Sequence, residues 1–291
     1  MITTLRLIII FFIYSMINIF IKPSKVIKPK SILLVRLDAI GDYVLFRNII
    51  QNIKSDIKFK DYSLTLLGNI AWKSLSEELD GELVDDFVWL DRNRFQKDIF
   101  YRYKKLQELT SKGYEILISP VYSRELFIAD SIVKLITAQE KIGSVGDCTN
   151  IKKWQKDIGD KYYDTLIPGK DELMFEFNRN KEFFENILEN KIDITKPVIK
   201  NKQIKLKHRL PEKYAILFIG ASSNLRKWST ENFSKAGNYL NSEYGYDIVI
   251  CGSSNDSKEA KLLERQCKDK VVNLAGKTSL IELVSVISHG D

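Results

Sequence analysis

The sequence predicts an α/β fold built as two doubly wound domains. From Ser31 onward, short apolar runs alternate with longer amphipathic stretches, and the alternation restarts after a Lys-rich, apolar-poor stretch over Asp193–Pro211. The length of 291 residues is also more than one core comfortably fills, since single cores stop growing at about 250–300 residues. Strands alternating with helices imply βαβ units and a mostly parallel sheet, because a parallel return needs a crossover.

The elements follow in order. Ser31–Arg36 (SILLVR) is a buried-strand run, Leu37–Gly41 a turn, and Asp42–Ile53 a helix. Ser63–Leu67 and Asp86–Leu90 are strands, with a helix over Trp72–Leu79 between them. Arg102–Lys112 is helical until Gly113 stops it, and Glu115–Ser119 is the next strand. Glu125–Thr137 reads as a helix, Lys141–Gly143 as a short extended segment, and Glu172–Asn190 as a Phe-rich amphipathic helix. After the connection, strands Tyr214–Ile219, Tyr246–Ile250 and Lys270–Asn273 alternate with helices Ser229–Glu243, Ser257–Lys268 and Ser279–Ser288. The expected domains are therefore 31–200 and 201–291. The second holds only three strands, thin for an independent α/β core, and is expected to be incomplete.

Residues 1–30 stand apart. Leu7–Ile21 reads LIIIFFIYSMINIFI, a helix of about 22 Å against a hydrocarbon core of about 30 Å. Ser15, Asn18 and Lys22 make a short polar stripe, which suits a helix lying in an interface. With only Arg6 ahead of the apolar run and no small-residue cleavage site, a signal peptide fits poorly. Lys22, Lys25, Lys28 and Lys30 follow directly, so the rest of the chain is expected on the cytoplasmic face of the inner membrane, attached by this segment, spanning or flat. Pro23 and Pro29 make residues 22–30 a linker.

Composition excludes several classes. Hydrophobic residues at 44% rule out wholesale disorder. Two His and three Cys without a C-x-x-C pair argue against a zinc centre, and no metal is expected. A sparse, odd Cys count suits a reducing compartment. The net charge of +7 permits an acidic partner, but the excess is diffuse, and no nucleic-acid partner is expected.

Two strand-end turns carry chemistry. Ligands of open α/β sheets collect outside the carboxyl ends of the strands, and the turn Arg36-Leu-Asp-Ala-Ile-Gly-Asp42 follows the first strand. Gly41 would let the backbone turn tightly beside a ligand. Asp42, at the helix start, can cap free N–H groups or accept a proton; a plain cap is the commoner fate of such an Asp. The fingerprint G-x-G-x-x-G is absent. In the second half, Gly220–Trp228 (GASSNLRKW) joins strand to helix. Its backbone N–H groups, Ser222 and Ser223 would donate to a phosphate, with Arg226 or Lys227 supplying charge. Small-residue turns at Gly252 and at Lys277-Thr278 end the next two strands, and the three turns together suggest a nucleotide cleft. Arg124 could hold an anionic acceptor. The Lys200–Arg209 run reads as a solvated linker, and Trp89, Trp154 and Phe175–Phe184 as core.

Ser31–Ile50 (SILLVRLDAIGDYVLFRNII) and Leu217–Phe233 (LFIGASSNLRKWSTENF), with Val249–Gly252 and Val272–Leu283 in order after them, resemble glycosyltransferase family 9, the heptosyltransferases of lipopolysaccharide synthesis. The resemblance covers roughly residues 31–291. It implies a GT-B-like architecture of two Rossmann-like domains with the active site in the interdomain cleft. The implied activity is metal-free transfer of a heptose or related sugar, from a nucleotide-diphosphate donor such as ADP-heptose to a lipopolysaccharide-core or other cell-surface glycolipid. Asp42 matches the family's catalytic aspartate and Lys227 its phosphate-binding lysine, with Ser222 and Ser223 in the small-residue phosphate loop. Gly252, Lys277 and Thr278 would join the donor side, Gly41 and Arg124 the acceptor side. Family members continue into a strand and an Asp-[Ser/Thr]-Gly-x-x-His turn beyond the last helix, which this chain does not reach. A catalytically inactive nucleotide-binding or scaffold protein, or a fragment of such an enzyme, is the alternative. An epimerase-like enzyme would want more His and carboxylate groups.

Overall fold

A computed structural model describes residues 4–199, 206–221, 223–267 and 270–290. Two compact units divide the chain, Met1–Val198 and Ile199–Asp291.

The first unit contains β1 (Ile27–Arg36), β2 (Ser63–Asn69), β3 (Asp86–Leu90), β4 (Gly113–Ser119), β5 (Ala138–Ser144) and β6 (Thr165–Ile167). They form one sheet of order β3-β2-β1-β4-β5-β6, every pairing parallel. That order runs outward from β1 in both directions, so a topological switch point lies between β1 and β4. The helices are α1 (Thr4–Ile19), α2 (Ile40–Phe46), α3 (Asn48–Ser55), α4 (Lys73–Asp80), α5 (Arg92–Lys97), α6 (Ile99–Thr110), α7 (Ser131–Leu135), α8 (Lys153–Gly159) and α9 (Glu176–Leu188). In β1, Ile32 to Arg36 are all buried, as expected of a central strand covered on both faces. Leu33 and Val35 join a core with Leu106, Leu109, Ile132 and Val133. Ile32 and Leu34, one residue out of phase, point to the opposite face.

Three local readings change. β1 starts at Ile27, inside the stretch read as linker. Pro29 fits there because the pairing with β4 shifts register between Lys28 and Ile32, and Lys30 takes φ 47°; an irregularity is where a strand accommodates Pro. The helix read over Glu125–Thr137 is a π-helical turn, Leu126–Asp130, continued by α7. The helix α5, the helix α8 and the strand β6 were not read from the sequence, being too short to show a period.

The helix α1 is 16 residues long, about 24 Å. Among the described residues no helix is long and apolar enough to cross a membrane. The helix docks on the first unit: Tyr14 Oη donates to the Gln96 carbonyl at 2.7 Å, Phe11 packs edge-on against Trp154, and the Arg102 guanidinium covers the Tyr14 ring. Ser15 and Asn18, the polar stripe, are half-buried, while Leu5, Ile9, Phe12, Met16 and Ile19 are each at least 50% exposed.

Behind the first strand-to-helix turn lies a buried polar cluster. The Asp80 carboxylate accepts from Tyr43 Oη and from Arg47 Nη2 at 2.7 Å, and Arg47 reaches the carbonyls of Leu79 and Val198. Removing one member of such a buried pair strands the other charge, at a cost of about 3–5 kcal/mol. Asp80→Ala is therefore expected to lower the urea midpoint of the first unit strongly; an unchanged midpoint would show that Arg47 finds other partners.

The second unit contains β7 (Tyr214–Phe218), β8 (Asp247–Cys251) and β9 (Val271–Asn273), a parallel sheet in that order. Its helices are α10 (Thr230–Tyr244), α11 (Ser257–Gln266) and α12 (Leu280–His289). Leu217, Ile219, Ile248 and Ile250 pack with Ala260 and Leu263 of α11 on one face. Tyr214, Val249 and Cys251 pack with Val286 of α12 on the other.

Candidate active site

In the first unit, a cavity of about 540 Å³ opens at the carboxyl ends of β1 and β4, where the sheet order reverses. Leu37, Asp38, Ala39 and Asp42 line it from the β1 side, Tyr122, Ser123 and Arg124 from the β4 side, with Asn69, Arg92, Glu125, Asn150 and Glu176 around them. Asp42 lies in the first turn of α2, and its Oδ2 accepts from the Ala39 N–H at 3.1 Å. That bond satisfies a free donor of the helix start and fixes the carboxylate. Its other oxygen has no hydrogen bond among the described residues and is available to the cavity.

The backbone under this turn is held by side chains from β2 and beyond. The Asp38 carbonyl accepts from Trp72 Nε1 at 3.2 Å and Asn69 Nδ2 at 3.0 Å, and the Leu37 carbonyl accepts from Arg92 Nη1 at 3.2 Å. Trp72 is wholly buried, stacked on Tyr43 at 4.3 Å. Gly68 is required here, since a Cβ would lie 2.4 Å from the Trp72 ring and 2.5 Å from Trp89. Gly41 has a different role from the one expected: it sits inside α2 at no left-handed φ, with nothing within 4 Å of a Cβ position. Neither its backbone conformation nor its surroundings call for a glycine, and the space beside it is open.

Arg36 is a residue that the sequence reading passed over. Wholly buried at the end of β1, its guanidinium meets Asp38 at 2.9 Å, Glu176 at 3.0 Å and the Asn180 amide oxygen at 2.7 Å. It thereby positions two more carboxylates on the cavity that holds Asp42. Burial pushes the Asp38 carboxyl up from an ordinary 3.8 to about 6, with Arg36 pulling it down and the Asp42 and Glu176 charges adding to the rise. The folded chain then binds this proton more tightly than the unfolded chain between those two values, so stability contributed by Asp38 falls as pH rises through that window. Asp38→Asn is expected to flatten the pH dependence of urea stability between about pH 4 and 6, by up to about 3 kcal/mol. Parallel curves for the two proteins would refute it.

Arg124 does not present a free cation to an acceptor. It is 1% exposed, bonded to Asp160, 4.0 Å from Asp130, and lies over the Tyr163 ring. Its charge is engaged within the unit, and burial with those carboxylates is the reason. Arg92 is the more accessible cation of the cavity, paired with Glu125 at 2.7 Å with both side chains about 30% exposed. An Arg opening a short helix carried no periodic or spacing signal that could have singled it out.

In the second unit, the loop from Gly220 passes through a 3₁₀ turn, Asn224–Arg226, into α10, which Ser229 caps. Lys227 Nζ lies 2.8 Å from both Asp256 and Glu259, and hydrogen bonding to Asp256, then Glu259, raises its pKa. The lysine is therefore charged, and two carboxylates already balance it. Asp256 also accepts from the Ser253 N–H at 2.9 Å and Oγ at 2.6 Å. A Cβ at Gly220 would lie 2.8 Å from Asp256 Oδ2 and one at Gly252 3.2 Å from its Cβ, so both turns close around this side chain. Gly276, at φ +70°, brings the β9 turn against Ser254, and its N–H donates to the Gly252 carbonyl. The three small-residue turns thus meet at one sheet edge. Lys277 Nζ bonds the Asn273 carbonyl at 2.7 Å, Thr278 is half-buried, and Ser223 is exposed. Ser222 and residues 200–205 of the Lys200–Arg209 run lie outside the described residues. Among the described residues no group of three or more His, Cys, Asp and Glu is placed to hold a metal ion.

The family model for glycosyltransferase family 9 (heptosyltransferase) matches residues 102–291. The chain belongs to this family. As a family 9 chain it is a sugar transferase by descent, and its α/β fold with the six-stranded parallel sheet is similar to solved family structures. A family 9 glycosyltransferase from Veillonella parvula DSM 2008 aligns with TM-score 0.65 and 15% identity, over 92% of this chain and 76% of that one. The E. coli heptosyltransferase WaaC with ADP aligns with TM-score 0.66 and 16% identity, over 89% and 79%. E. coli ADP-heptose LPS heptosyltransferase II gives TM-score 0.63 and 14% identity, over 89% and 77%. At such identities the likeness is one of fold. No curated protein sequence matches the chain. The family match begins after the Asp42 turn, so the role of Asp42 rests on the residues of that turn and their geometry.

Proposed function

We propose that this family 9 transferase moves a heptose or closely related sugar from a nucleotide-diphosphate donor of the ADP-heptose type to a lipopolysaccharide-core or similar glycolipid, on a GT-B-like scaffold. The observation that carries the reading is the Asp42 carboxylate, fixed by one hydrogen bond and open to a polar cavity at the switch point of the sheet. Asp42 takes the proton of the acceptor hydroxyl as that oxygen attacks the anomeric carbon and the diphosphate leaves. Lys227 exchanges its carboxylate partners for the leaving diphosphate and offsets its charge, the electrostatic part of the task. Ser222, Ser223 and the turns at Gly252 and Lys277-Thr278 complete the donor seat with backbone and hydroxyl donors. Gly41 leaves the acceptor's path open. No resident cofactor takes part.

The same reading sets the protein on the cytoplasmic face of the inner membrane. The apolar face of α1 that the fold leaves exposed, followed by Lys22 and Lys25, suits a helix lying in the interface beside an anionic lipid surface. Incubating the protein with ADP-heptose and a lipopolysaccharide-core glycolipid is expected to transfer labelled sugar to the lipid fraction. Donor binding without turnover would favour the non-catalytic alternative.

A further inference from the structure

A second cavity, of about 420 Å³, lies where α1 meets the first unit. Leu7 of α1, Leu126, Phe127 and Ile151 give it an apolar lining, and Lys152 and Gln155 a polar one. Glu125, Ile128 and Asn150 line both this cavity and the one that holds Asp42, so the two adjoin. The Arg92–Glu125 ion pair stands at their junction.

We propose that this second cavity is the approach taken by the acceptor: it seats the lipid-proximal, anionic part of a glycolipid whose terminal sugar lies beside Asp42. The inference rests on the function proposed above and adds the route to it. Three features select an amphiphile. The helix α1 contributes Leu7 to the cavity lining and carries exposed Leu5, Ile9, Phe12 and Met16, so the cavity adjoins the helix whose surface is best suited to lipid. Its own lining combines apolar side chains with polar ones, Asn150 among them at the shared wall, as suits a molecule with both an acyl and a sugar part. The exposed Lys152 gives a cation for a phosphate or carboxylate near the lipid end.

Cys148 reports on this cavity. It lines the cavity and is exposed, whereas Cys251 is buried and Cys267 half-buried. The rate of maleimide labelling at Cys148, followed by peptide mass spectrometry, is to be compared in phosphatidylglycerol vesicles with and without lipopolysaccharide-core glycolipid. The glycolipid is expected to slow labelling about tenfold when nine-tenths of the sites are filled, and Lys152→Glu is expected to relieve much of that protection. Equal labelling in the two vesicle types, or protection untouched by Lys152→Glu, overturns the assignment. The readout needs no turnover. Protection without transfer would leave the cavity assignment standing and remove the proposed activity, while transfer without protection would do the reverse.

Discussion

Asp42→Asn is expected to reduce sugar transfer by about 10²–10⁴-fold, the range in which general-base contributions fall. The amide keeps an oxygen for the Ala39 N–H that Asp42 accepts at 3.1 Å, so α2 should start as before and thermal stability should hardly move. What is lost is proton acceptance alone. The loss is expected in kcat with little change in the KM for either substrate, as for an interaction made only in the transition state. Full transfer by the variant would leave Asp42 as a helix cap and nothing more, and a neighbouring carboxylate such as Asp38 or Glu176 would have to carry the proton.

Lys227→Ala is expected to lower kcat/KM for the nucleotide-sugar by about 10²–10³-fold, the scale for removing one donor aimed at developing charge. The structure adds a reason for the upper end. Asp256 and Glu259 each lie 2.8 Å from Lys227 Nζ, so removing the ammonium leaves two uncompensated carboxylates beside the anion to be bound. Lys227→Arg restores the charge but not the compact geometry, and partial recovery is expected. Titration with ADP should show a matching fall in affinity for Lys227→Ala. Unchanged affinity together with a lowered melting temperature would make Lys227 a tie between its loop and α11 and no more.

The two turns were legible because each combined a strand end, small residues and a charged side chain in one local stretch. Asp42 and Lys227 could be read in that way. Arg124 shows where this local logic fails. A cation just past a strand end looked solvent-facing, yet Asp130 and Asp160 draw it into the interior, and no spacing rule reveals a partner 36 residues away. Arg36 fails in the opposite sense. It was visible as the last residue of a strand, but its role depends on Glu176 and Asn180, 140 and 144 residues further on. The π-helical turn at Leu126–Asp130 and the strand start at Ile27 were lost for a simpler reason, because irregular backbone has no period to detect.

The amino-acid sequence by itself determined the α/β class, the alternation of strands and helices, the Asp42 and Lys227 turns and the apolar first helix. Each of these follows from side-chain periodicity or from residues adjacent in the chain. Only the tertiary structure decided which charges are free and which are used up. It also decided that the apolar face of α1 points away from the fold, and that the cavities at the β1 and β4 ends share a wall. Those outcomes depend on groups far apart in sequence being buried together, where the cost of leaving a charge unpaired selects its partner.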